Sequence, residues 1–228
     1  MTDAASVPNH IGYILDGNRR WAKQHGRPTL EGHRQGLETF KNIALASFDR
    51  GIKVVSAYVF STENWQRTQE EVSYLMRLVV KGVEKHLTTF HKAGIRLVML
   101  GSRDGLDAKI LQTIDRAVQT TKDNTKGTLA ICFNYGGQQE IVDAANAATA
   151  AGQPLTIQSL QANLYEPDLP AVDFVIRTSG EQRISNFMLW RAAYSELYFT
   201  DKLWPDFNEA DLDQALAEYQ QRQRRYGQ

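Results

Sequence analysis

Six short apolar runs divide this chain, and most of the intervals between them carry helical periodicity. The runs lie at 11–15, 53–60 (KVVSAYVF), 95–100 (IRLVML), 128–134 (TLAICFN), 172–177 (VDFVIR) and 195–199 (SELYF). Helical patterns fill about 34–50, 69–93, 106–122, 138–150 and 208–225. Such alternation specifies an α/β fold built on a central, mainly parallel, six-stranded sheet flanked by helices. The segments AAGQPLTIQ and YEPDLPAVD are Pro/Gly breaks within one domain. A single domain over 1–228 is expected, with residues 1–9 as a flexible N-terminal tail. In the 69–93 stretch, Val72, Leu75, Met76, Val79, Val80, Val83, Leu87 and Phe90 recur at i, i+3, i+4, i+7. That face either packs into the core or lines a greasy cavity, and the pattern leaves both open.

With 228 residues, 42% of them apolar, the chain can build a sizeable core without staples. Lys+Arg and Asp+Glu number 26 each, a balance that argues against a nucleic-acid binder working by phosphate neutralisation. The single cysteine, Cys132, lies in a strand pattern and reads as a buried thiol. No apolar run approaches the ~18 residues of a spanning helix, and MTDAASVPNH lacks a basic-then-apolar signal pattern. A cytoplasmic protein is expected, with room for transient contact at the inner membrane face.

Open α/β sheets bind ligands at the carboxyl ends of their strands. The first strand is followed by Asp16, Gly17, Asn18, Arg19 and Arg20, and the second by Ser61, Thr62, Glu63, Asn64, Trp65 and Arg67. The 128–134 run leads to Asn134, Tyr135, Gly136 and Gly137. The 172–177 run leads to Arg177, Thr178, Ser179, Gly180, Glu181, Arg183 and Ser185. Arginine forks, serine hydroxyls and backbone amides at helix starts suit phosphate oxygens. A lone ionised carboxylate among them suits Mg²⁺, whose shell phosphates and waters complete. Asp16 is therefore a metal-ligand candidate, with capping of a helix over 17–25 as the alternative. GYILDGN has the glycine spacing of a Walker loop but places Asn18 where the lysine belongs. G-x-G-x-x-G, H-E-x-x-H, G-x-S-x-G and D-D-x-x-D are all absent.

The segments DGNRRWAKQHGRPTLEGHRQG, YVFSTENWQRTQEEV, FNYGGQQEIV, VIRTSGEQRISNFMLWRAAYSELYF and LWPDF resemble the cis-prenyltransferases, the undecaprenyl diphosphate synthases in particular. The similarity runs from about His10 to Tyr226 with the motifs in the family's order. The resemblance implies a homodimeric, Mg²⁺-dependent α/β enzyme with a hydrophobic tunnel. Such an enzyme extends farnesyl diphosphate with isopentenyl diphosphate to make a Z-polyprenyl diphosphate, here expected to be undecaprenyl diphosphate for the cell-wall (peptidoglycan) lipid carrier. By the same resemblance Asp16 is the essential aspartate, handling Mg²⁺ and the leaving diphosphate, and Glu196 is a second metal ligand. Gly17, Asn18, Arg19, Arg20 and His33 match the allylic diphosphate pocket, and Trp21 and Trp65 match aromatic residues of the substrate-binding segments. Ser61, Thr62, Glu63 and Asn64 match the segment near the reacting carbons. Arg67, Arg177, Arg183, Ile184 and Ser185 match the isopentenyl diphosphate site. The family's proton-acceptor label for Asn64 conflicts with the poor basicity of an amide, so Asn64 reads as an orienting hydrogen-bond partner.

Four positions depart from the family pattern. Thr29 stands where many members carry an arginine, while Arg19 stands where glycine is common. Gln182 replaces a histidine found near the metal in some relatives. Val59 occupies a product-length position often held by alanine in long-chain enzymes. Rival readings are a short- or medium-chain Z-prenyl diphosphate synthase, a non-catalytic partner subunit of the same fold, and a generic sugar-phosphate or nucleotide binder. The basic C-terminal QQRQRRYGQ either complements a helix dipole or contacts a membrane surface or a second subunit.

Overall fold

The structure, a computed structural model, describes residues 7–222. Part of the basic C-terminal segment (223–228) and part of the expected tail (1–6) lie outside the described residues. Residues 7–9 belong to the folded body, not to a tail. Pro8 is buried, and the Asn9 carbonyl accepts from the amides of Lys53 and Val54 at 3.0 and 2.9 Å.

All six expected strands form: β1 His10–Ile14, β2 Val54–Ser61, β3 Ile95–Leu100, β4 Gly127–Tyr135, β5 Phe174–Arg177 and β6 Glu196–Phe199. They make one sheet in the order β3-β4-β2-β1-β5-β6, and every neighbouring pair is parallel. Among the described residues seven α-helices accompany them: α1 Asn18–Gln24, α2 Thr29–Asp49, α3 Gln69–Lys92, α4 Ala108–Thr121, α5 Gly137–Ala150, α6 Ile157–Ala162 and α7 Glu209–Gln221.

Side chains alternate between two buried faces, as a sheet covered on both sides requires. Ile11 and Tyr13 of β1 pack with Phe40, Ile43 and Phe48 of α2 and with Leu212 and Leu216 of α7. Ile14 and Val175 face the other way, into a cluster with Cys132, Phe187 and Met188. Cys132 is fully buried in β4, and burial raises its thiol well above the ordinary range.

The second helix begins at Thr29, five residues before the apolar pattern suggests. Its first turns carry Gly32 and Gly36, which interrupt the periodic signal. Both glycines serve close approach: a Cβ on Gly32 would lie 2.0 Å from the Asn18 carbonyl oxygen, and one on Gly36 2.2 Å from Asn18 Oδ1. The helix thereby presses against the turn that follows β1. The third helix resolves the two options left open for its apolar face. Val72, Met76 and Val80 join Ile110 and Ile114 of α4 in a core cluster, while Leu75, Leu78 and Val79 line a cavity.

Two polar groups anchor the lower face and the amino end of the sheet. Glu140 on α5 is completely buried, and its carboxylate accepts from Arg191 Nη1 and from the Tyr135 hydroxyl, both at 2.5 Å. Arg191 Nη2 also donates to the carbonyls of Tyr165 and Glu166, which pins the long connection before β5. His10, at the start of β1, donates from Nδ1 to the Pro170 carbonyl at 3.0 Å and accepts the Ser56 hydroxyl at Nε2 at 2.7 Å. Burial holds its pKa down to about 4, so the ring is neutral near pH 7.

The strand order places β1 between β2, reached through α1 and α2, and β5, reached much later. The chain therefore departs in opposite directions on either side of β1. Such a switch opens a crevice beyond the carboxyl ends of the strands.

Candidate active site

Asp16 stands in that crevice. Directly after β1 the chain turns through Gly17, at φ 108°, a left-handed conformation that favours glycine. Gly17 is the N-cap of α1, and no side chain caps that helix, so Asp16 is not a capping residue. Its backbone carbonyl is fixed by Thr178 Oγ1 at 2.6 Å and the Trp204 amide at 3.0 Å. Its carboxylate remains 31% exposed. Oδ2 accepts from Arg177 Nη2 at 2.8 Å, and Oδ1 lies 3.7 Å from Arg20 Nη2.

Arg177 ends β5 and is buried. Its Nη1 donates to the Arg183 carbonyl at 2.5 Å and to Ser185 Oγ at 2.7 Å. Its Nε is buried without a partner among the described residues. Arg20 is fixed by Ser179, through the carbonyl at 2.9 Å and Oγ at 2.6 Å. Glu181 accepts from Arg20 Nη2 at 3.2 Å and from Arg183 Nη1 at 2.5 Å. The Arg183 contact holds its carboxyl below the ordinary carboxylate range.

Two cavities meet at Asp16. One, of about 590 Å³, has a polar mouth of Asp16, Ser61, Glu63, Asn64, Arg67, Arg177 and Ser185. Its interior is apolar, lined by Leu37, Phe40, Val59, Phe60, Leu75, Leu78 and Val79. The other, of about 750 Å³, is cationic, lined by Gly17, Arg19, Arg20, Lys23, Arg27 and Thr29 among others. Leu15, Asp16, Asn18, His33 and Arg67 line both. The apolar chamber is the tunnel implied by the resemblance, and Val59 lies on its wall.

His33 is buried between α2 and α3, and burial lowers its pKa. The ring Nε2 meets Glu71 Oε1 at 3.3 Å, and the same oxygen accepts from Arg67 Nη1 at 2.9 Å. Asn64 Oδ1 accepts from the Ser61 amide at 3.2 Å in a reciprocal capping box. That orients its amide at the mouth and supports the hydrogen-bonding reading over a proton acceptor.

Several expected residues do not line either cavity. Glu196 is the clearest correction. It opens β6 in register with Phe174, while Phe199 is level with Arg177, so Glu196 lies toward the amino end of the sheet. There it pairs with Arg222 at 3.2 Å, away from Asp16. Trp21 donates from Nε1 to Asp206 at 2.7 Å and stacks on His25 at 4.3 Å. Trp65 donates to Asn134 Oδ1 at 2.7 Å in a neighbouring cleft. Thr62 packs at Gly136, where a Cβ would come within 2.8 Å of its hydroxyl. Ile184 packs on the cluster beneath the sheet, and Arg183 enters only through its carbonyl and through Glu181.

Other residues belong to the site but were not singled out above. Lys23 and Arg27 add charge to the cationic cavity, offsetting the threonine at 29. Glu71, four residues after Arg67 at a helix start, had a readable i,i+4 signal. Asn186 had none. At φ 64° it links Glu63 Oε1, at 2.9 Å, to the Gln138 amide, at 2.8 Å, and so joins three loops.

No group of three His, Cys, Asp or Glu side chains suited to a metal occurs among the described residues. Mg²⁺ does not require one: it is commonly held by one or two carboxylates with substrate phosphates and water. A half-exposed carboxylate on the wall of a cationic cavity fits that pattern. No described helix is long and apolar enough to cross a membrane.

The family model for undecaprenyl diphosphate synthase (Prenyltransf) matches residues 14–227. The isoprenyl transferase of Lactococcus lactis is 43% identical over 228 residues, covering 97% of this chain and 93% of its own. That of Neisseria gonorrhoeae is 45% identical, covering 100% and 92%. The crystal structure of lavandulyl diphosphate synthase from Lavandula x intermedia, in complex with dimethylallyl diphosphate, superposes with a TM-score of 0.93. It is 33% identical and covers 97% of this chain and 99% of that one.

Proposed function

The chain belongs to the isoprenyl transferase (undecaprenyl diphosphate synthase) family, and on that premise we propose that it adds isopentenyl diphosphate units to farnesyl diphosphate, giving a long Z-polyprenyl diphosphate. The observation that carries this reading is the junction of an apolar chamber and a cationic cavity at one carboxylate, Asp16. A diphosphate head fits the cationic side, and a hydrocarbon tail fits the apolar side.

In each cycle the allylic C–O bond breaks, a C–C bond forms to isopentenyl diphosphate, and a proton leaves the new unit. Charge grows on the departing diphosphate. Arg20 and the amides at the start of α1 stabilise that charge more in the transition state than before it. Asp16 would hold a Mg²⁺ ion there, which when bound would supply further neutralisation of charge on the leaving group. Arg177 and Ser185 hold the second diphosphate, and Asn64 orients the reacting end. Burying one methylene contributes ~0.8 kcal/mol, so a C15 tail supplies on the order of 10 kcal/mol of gross binding. Isopentenyl gains about a third of that, so its diphosphate must be held by charge-assisted contacts, each contributing roughly 1.5–3 kcal/mol.

The reading extends to a homodimer of cytoplasmic location that touches the membrane transiently as its lipid product leaves. The exposed Tyr194 and Leu197 beside the edge strand β6 support a subunit contact there. A shorter product is the second reading, favoured by Val59, larger than alanine, on the chamber wall. A non-catalytic partner subunit is disfavoured by the intact Asp16–Arg177 pair, and a nucleotide binder by the missing glycine-rich loop. The test is chromatography of products made by the purified protein from labelled isopentenyl diphosphate and farnesyl diphosphate, with Mg²⁺ or with chelator. A long Z-product that requires Mg²⁺ is expected; no condensation under either condition would refute the reading.

A further inference from the structure

Two carboxylates join the arginines of the site. Asp16 meets Arg177 and Arg20. Glu181 meets Arg20, on the wall of the cationic cavity, and Arg183, which lines neither cavity but which the resemblance assigns to the isopentenyl diphosphate site, and it has no role in the account above. Arg20 does not need Glu181 for its position, because both Nη atoms are already fixed on Ser179. Glu181 accepts from an Nη2 that also meets Ser179, on a cavity wall where a phosphate oxygen would bind. Arg183 is 59% exposed, and its guanidinium makes its hydrogen bond to Glu181. Ser179 and Gly180, at φ 77° and 78°, form the left-handed turn from which Glu181 reaches back to both arginines.

We propose that Glu181 is a built-in counter-anion that sets diphosphate affinity. It occupies arginine donors in the free protein, incoming diphosphates displace it, and its charge favours release of inorganic pyrophosphate after each addition. A site with several arginines and no such competitor would hold pyrophosphate between cycles and slow repeated extension. This inference rests on the diphosphate reading of the two pockets.

The test is titration calorimetry of inorganic pyrophosphate with wild-type protein, Glu181→Gln and Glu181→Gln/Arg183→Ala. Glutamine keeps the shape and removes the charge. Losing two partly exposed ion pairs predicts pyrophosphate binding about three- to tenfold tighter in Glu181→Gln. Inhibition of turnover by pyrophosphate should strengthen by a similar factor, and the gain should shrink in the double variant. Equal or weaker binding by Glu181→Gln would overturn the counter-anion and make Glu181 a positioning residue. A wild-type protein that makes no prenyl product yet shows the tightening would keep the counter-anion and overturn the substrate reading instead.

Discussion

One strand, β1, has a titratable side chain at each end, and the fold treats the two in opposite ways. At the amino end, His10 is fully buried and both ring nitrogens are satisfied. Just past the carboxyl end, Asp16 is 31% exposed and shares its carboxylate with two arginines at unequal distances. The saturated end contributes stability, and the unsaturated end can accept a ligand. The same contrast separates the buried Arg191–Glu140 pair from the half-exposed Arg177–Asp16 pair. Glu140 has both oxygens engaged in complete burial, whereas Asp16 keeps one oxygen, Oδ1, without a close hydrogen bond and open to the cavities.

The contrast breaks most readily at Asp16. Asp16→Ala should lower the condensation rate by about 10³-fold or more, the scale of losing metal and electrostatic stabilisation. Its denaturant midpoint should fall by less than that of the Glu140 variant below, because buried Arg177 loses its charge partner but keeps its Nη1 bonds to the Arg183 carbonyl and Ser185. A variant of normal rate would end the functional half of the comparison. Glu140→Ala should do the reverse, costing about 3–5 kcal/mol in urea unfolding by stranding buried Arg191. A loss below about 1 kcal/mol would show the pair to be dispensable.

The amino end gives a pH signature. His10 titrates near 4 in the folded protein and near 6.5 unfolded, so the unfolded state binds more protons between those values. Its contribution is complete above pH 6.5 and is lost as pH falls toward 4, on the order of 3 kcal/mol in total. Urea midpoints of wild type and His10→Gln should therefore converge between pH 7 and 4; parallel curves would remove His10 as the source. Within the open site, Arg177→Ala should raise KM for isopentenyl diphosphate by about 10- to 100-fold and KM for the allylic substrate far less. Equal effects on both would undo the division of the two pockets. The smallest effect belongs to the chamber wall: Val59→Ala should cost about 1 kcal/mol of stability and shift products toward longer chains. An unchanged product profile would remove Val59 from length control.

The strands were readable because parallel strands buried on both faces leave continuous apolar runs. The short α6 was not, since none of its residues is buried and IQSLQA shows no apolar stripe. The rim residues were readable from their place after strand ends. Asp16, Asn64, Arg67, Arg177 and Ser185 meet there because the strands are parallel and aligned. Glu196 entered from the resemblance alone; as the first residue of β6, level with Phe174, it lies at the end of the sheet away from that rim. Lys23, Arg27 and Asn186 enter the site through loop geometry that leaves little local trace.

The two-sided third helix has an evolutionary consequence. Positions 72, 76 and 80 pack against α4 and border the cleft beside Trp65, whereas 78 and 79 line the apolar chamber that meets Asp16. Mutations at the latter pair can remodel the room offered to a lipid while the scaffold stays intact, so relatives on this framework can diverge in the size of molecule they build without relearning how to fold.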